Sequence, residues 1–95
     1  MQLKTTGVAG TLESSDVMIT VEPAKNGISI ELTSSVEKQF GRQIKELILK
    51  VTKELGVTAA FIKVADKGAI DYVLTARLKA ACYRAAERTD YQWEG

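Results

Sequence analysis

The chain has 95 residues, 45% of them apolar and 26% charged, and its 13 basic and 12 acidic side chains leave a net charge of +1. That describes one globular domain, and so even a balance offers no one-signed field for nucleic acid or a membrane surface. With no histidine and a single cysteine, Cys82, the chain lacks the usual base near neutral pH and the ligands of a zinc site, and no Ser-His or Cys-His nucleophile pair can form. An enzyme working through its own side chains is therefore not expected, nor is an intrachain disulfide. The first twenty residues lack the basic start and apolar run of a signal peptide, and no run approaches membrane-spanning length. A cytoplasmic protein is the expectation.

In chain order, residues 1–6 read as a frayed end. A short strand is predicted at about 8–12, weakened by Gly7 and Gly10, which bring no side chain to pack. Ser14 to Asp16 reads as a turn. Val17, Ile19 and Val21 then alternate with Met18, Thr20 and Glu22, the period of a half-buried strand, and Pro23 ends it. Asn26-Gly27 tolerates positive φ and predicts a hairpin into a strand with Ile28, Ile30 and Leu32 on the buried face. Ser34 with Glu37 fits a capping box. Val36, Phe40, Ile44, Leu47, Ile48, Val51 and Leu55 follow as one helical stripe, closed by Gly56. A strand at about 58–65 has Ile62 and Val64 inward. Asp66 is suited to cap a last helix over about 69–88, with Ile70, Val73, Leu74, Leu78, Ala81 and Ala85 as its apolar face. Cys82 borders that face as a small apolar group. Arg77 also borders it, either keeping its head in water or meeting an acidic partner or phosphate. The tail at 89–95 reads as loose, with Trp93 either plain surface or an anchor for a partner.

The order strand, strand, strand, helix, strand, helix, the first strand weak, predicts an α+β fold of two layers. A small, mainly antiparallel sheet is covered on one face by two helices, in a single domain spanning 1–95. Such a fold hosts many functions. The stretch that stands out is Gly10-Thr11-Leu12-Glu13-Ser14-Ser15-Asp16, two hydroxyls between carboxylates at a bend. Serine there is ordinarily a turn former, because its hydroxyl competes for nearby backbone groups.

Three blocks in order carry a family resemblance: Ala9 to Met18, Ser35 to Gly41, and Asp66-Lys67-Gly68-Ala69 with Asp71 and Leu74 to Leu78. Together they resemble the acyl carrier protein of citrate lyase, its gamma subunit, over about 8–86. The resemblance implies a non-catalytic carrier in which the serine of a Glu-Ser-x-Asp turn, here Ser14, carries 2'-(5''-phosphoribosyl)-3'-dephospho-coenzyme A through a phosphodiester. The thiol of that arm would hold acetyl and citryl thioesters while citrate is cleaved to acetate and oxaloacetate. Implied partners are the alpha subunit (acyl transferase), the beta subunit (citryl lyase), the prosthetic-group transferase and an acetylating ligase. Some family members have glycine after the modified serine; Ser15 stands there in this chain, so a second hydroxyl competes for the assignment. The alternatives are the carrier of a related lyase such as citramalate lyase, or a non-catalytic α+β interaction module. A module binding RNA on its sheet is disfavoured because the open face lacks an aromatic platform.

Overall fold

Alternation of apolar and polar side chains marks the strands at 17–22 and 28–33, and two helices cover the sheet they belong to. The computed structural model describes residues 1–34 and 37–88, with side chains at all of these except 37–39. The elements are β1 (Gly7–Gly10), β2 (Val17–Pro23), β3 (Gly27–Ser34), α1 (Glu37–Glu54), β4 (Ala59–Asp66) and α2 (Asp71–Ala85). The expected capping box at Ser34 and Glu37, the place of Val36 in the helical stripe and the tail with Trp93 lie outside the described residues.

The four strands form one sheet in the order β1-β2-β4-β3. β1 pairs antiparallel with β2, and β2 antiparallel with β4, while β3 lies parallel to β4. The α+β, two-layer expectation holds, and two of the three pairings are antiparallel. The hairpin expected between β2 and β3 does not form, because β4 slots between them. Residues 24–26 carry the chain over the end of β4, a step of two strand spacings, or roughly 9.6 Å, which a few residues cover. Pro23 has no amide hydrogen to open a tight hairpin ladder and instead faces Ala60 at the end of β2. The parallel β3–β4 pair then needs a helical crossover, which α1 supplies.

Val17, Ile19 and Val21 of β2 and Ala60, Ile62 and Val64 of β4 form the floor of the core, all nearly or fully buried. Ile28, Ile30 and Leu32 of β3 pack at its margin. Ile48 and Val51 of α1 and Leu74, Leu78, Ala81, Cys82 and Ala85 of α2 close it from above. Gly56, at φ 73°, ends α1 as its sequence position implies. Two side chains expected on buried faces are not buried: Phe40 is 45% exposed and Ile70 is 68% exposed. Ile70 stands at the N-cap of α2, because that helix begins at Asp71 rather than near Ala69 and has no side-chain cap there. Asp66 is buried and engaged elsewhere. One carboxylate oxygen accepts from the Ala69 amide (3.0 Å) and the other from the Ser34 hydroxyl (2.8 Å), tying the ends of β3 and β4 together.

The opening segment, expected to be loose, is anchored. The Lys4 and Thr5 amides both donate to the Ala85 carbonyl (2.8 and 3.0 Å), and Met1 and Leu3 pack against the core. β1 begins at Gly7, where the helix leaves no room for a side chain: a Cβ there would lie 2.1 Å from the Ala81 carbonyl oxygen of α2. The glycine that weakens the strand on propensity is thus what lets α2 rest directly on β1. Arg84 of α2 also donates to the Val8 carbonyl on that strand (2.6 Å). No helix among the described residues is long and apolar enough to cross a membrane.

Candidate functional site

The turn between β1 and β2 is entered through Gly10, whose φ of 97° and close approach to the Val17 carbonyl exclude a side chain: a Cβ would stand 1.7 Å from that oxygen. The bend itself is Glu13-Ser14-Ser15-Asp16, closed by the Asp16 amide donating to the Glu13 carbonyl (3.1 Å). Ser14 occupies the second position. Ser15 occupies the third at φ 65°, left-handed backbone that a turn of this type normally gives to glycine. Both serines are exposed. The neighbouring loop grips the bend from the side, with the Ser15 amide donating to the Lys67 carbonyl (2.8 Å) and the Lys67 amide to the Asp16 carbonyl (2.9 Å).

Asp16 is the hub. Its Oδ1 accepts from the Val17 amide (2.7 Å) and Arg77 Nε (3.1 Å); its Oδ2 accepts from the Thr11 hydroxyl (2.6 Å) and Arg77 Nη2 (3.0 Å). Thr11 Oγ1 also accepts from the Glu13 amide (3.2 Å), carrying the network into the bend. The Arg77 guanidinium above all, then the Thr11 hydroxyl and the Val17 amide, hold the Asp16 carboxyl far below the usual carboxylate range. Asp16 is therefore ionised and fully occupied at any ordinary pH. Sequence reasoning singled out Ser14, Ser15, Glu13 and Asp16 as the turn, and Arg77 as able to meet an acidic partner. It did not join Arg77 to Asp16, 61 positions away, and gave no part to Thr11. An arginine at the edge of an apolar helix face was the available signal, but nothing local says which acid it meets.

The arrangement has a defined chemical capacity. A hydroxyl stands at the corner of a bend whose base is fixed on two sides, with no histidine in the chain to activate it. It can accept a group delivered by another protein and hold it away from the body.

 

Cys82, a buried residue of α2, offers no rival attachment point. It is fully buried, and loss of solvent pushes its thiol up to about 12.

Comparison with known proteins matches this architecture to carriers. The family model for ACP, the malonate decarboxylase delta subunit, matches residues 4–85. A solved chain in a Pseudomonas malonate decarboxylase hetero-tetramer in complex with malonate shares the fold, with a TM-score of 0.71 at 23% identity over 88% of each chain. The class is thus that of small acyl carrier subunits, which carry rather than catalyse. Among curated proteins, the citrate lyase acyl carrier protein of Fusobacterium nucleatum is 65% identical over 94 residues, 98% of this chain and 100% of that protein. Those of Streptococcus uberis (52% over 94 residues; 99% and 93%) and Halothermothrix orenii (51% over 87 residues; 92% and 93%) are similar to it as well. The chain belongs to the citrate lyase acyl carrier protein family.

Proposed function

We propose that this chain is the acyl carrier subunit of citrate lyase, with Ser14 bearing phosphoribosyl-dephospho-coenzyme A in phosphodiester linkage. The observation that carries the reading is the exposed Ser14 hydroxyl at the corner of a bend pinned by Asp16 and Lys67. The residues present suit such a group: nothing needs to move for Ser14 to be reached, and the turn's frame is held by bonds that do not involve its hydroxyl. Ser15 is the weaker candidate, because its place in the bend asks for left-handed backbone rather than for a hydroxyl.

Bound at Ser14, such an arm would supply a thiol able to carry the acyl groups of citrate cleavage. The chain's own part is placement. The sheet and α2 hold the turn rigid at its base, and Ser14 projects the tether toward the alpha subunit (acyl transferase) and the beta subunit (citryl lyase). A tether of this kind presents its end to both active sites at high effective concentration.

The test is intact-mass analysis of the protein co-expressed with its lyase operon, followed by peptide mapping. The expected adduct lies on the peptide containing Ser14, is lost in Ser14→Ala and is kept in Ser15→Ala. An adduct that persists in Ser14→Ala moves the site.

A further inference from the structure

We infer that Arg77 is a positioning residue for the loading of Ser14: its pairing with Asp16 locks the turn and cancels a negative charge beside the hydroxyl that must accept a phosphate. The inference rests on the carrier reading above and concerns how that site is made ready. Two nitrogens of Arg77 meet the two carboxylate oxygens of Asp16 at 3.1 and 3.0 Å, the bidentate form in which direction and charge are both satisfied. The pair is not deeply buried, with Asp16 14% and Arg77 41% exposed at the side chain. An approaching anion therefore feels it.

The charged residues of the bend and of the segments bonded to it are Glu13, Asp16, Lys67 and Arg77, two of each sign. Without the guanidinium, Asp16 would remain ionised two residues from Ser14, because Thr11 and Val17 also favour its charged form. Loading forms a bond from Ser14 Oγ to phosphorus, breaks the bond from phosphorus to the donor's phosphate leaving group, and passes the hydroxyl proton to the transferase. The incoming phosphoester is anionic, so an uncancelled carboxylate beside Ser14 opposes its approach. Lysine at 77 would keep the charge but lose the fork that fixes the carboxylate's direction.

The experiment loads purified apo protein with the transferase and an activated phosphoester form of the arm, following intact mass over time. Circular dichroism and denaturant titration establish that each variant is folded. Arg77→Gln is expected to load more slowly by on the order of fivefold at low salt, with the gap closing as salt rises. Arg77→Lys should recover most of the rate. The double variant Asp16→Asn/Arg77→Gln, which has no clamp but no excess charge, should load faster than Arg77→Gln alone, an order that a purely structural role does not produce. Arg77→Gln at the wild-type rate, or a double variant no faster than Arg77→Gln, overturns the inference. Ser14→Ala run in parallel separates the two readings: if it still acquires the group, the attachment site is wrong, whereas an unloaded Ser14→Ala beside a fully active Arg77→Gln sinks only the role of Arg77.

Discussion

Two short connections in this molecule look alike in sequence and differ in physics. The turn at 11–16 and the loop at 24–26 each adjoin a glycine with positive φ, Gly10 at 97° and Gly27 at 76°. A Cβ on Gly10 would collide with the Val17 carbonyl, while one on Gly27 would meet nothing within 4 Å. The side-chain bonds that grip the first connection have no counterpart at 24–26 among the described residues. Both glycines satisfy the same backbone rule, yet only one is also enclosed by neighbours. A connection that merely crosses the sheet is left open; the one that presents a hydroxyl is fixed at its base.

The largest effect is expected from replacing the two glycines. Gly10→Ala combines left-handed strain with a clash against backbone and should cost about 3 kcal/mol. Gly27→Ala carries the strain alone and should cost about 1 kcal/mol. Denaturant unfolding measures both, and equal losses would erase the distinction between the connections.

Acid provides a second probe. The Asp16 carboxyl titrates far below its unfolded value of about 3.9, so the stability it adds is complete above that pH and fades as pH falls toward the folded value. The melting-temperature gap between wild type and Asp16→Asn should be flat from about pH 5 upward, since titration is complete there, and shrink in stronger acid. A gap that instead widens with acid would remove Asp16 from the hub of the turn.

The smallest effect sharpens the assignment within the bend. Ser15→Gly relieves left-handed strain at the cost of a looser unfolded chain, and should gain at most about 1 kcal/mol while leaving loading on Ser14 intact. A marked loss of stability or of loading would mean that the Ser15 hydroxyl matters in its own right.

Much of the fold was legible in local pattern. The alternation at 17–22 and 28–33 assigned the inward residues of β2 and β3 correctly, and Gly56 marked the end of α1. What local pattern does not carry is choice of neighbour. Asn26-Gly27 signals a reversal, but not that β4, arriving some thirty residues later, will fit between the strands on either side of it. Asp66 reads as a helix cap because its neighbours suit one, yet its carboxylate is drawn to Ser34 by a pairing that only the assembled sheet creates. The bend around Ser14 was visible for the same reason that β2 was, as a short-range signal. Its anchoring to Arg77 was not, because the partner lies on the last helix.

The burial of Cys82 bears on how a carrier survives its own cargo chemistry. On the proposed reading, a flexible arm ending in sulfur is tied to the same body that contains this cysteine. Were the cysteine on the surface, tethering would make ring closure between the two sulfurs far easier than any encounter between separate molecules. Enclosed in the core, it is out of the arm's reach, so an external oxidant cannot join the two sulfurs into a dead loop.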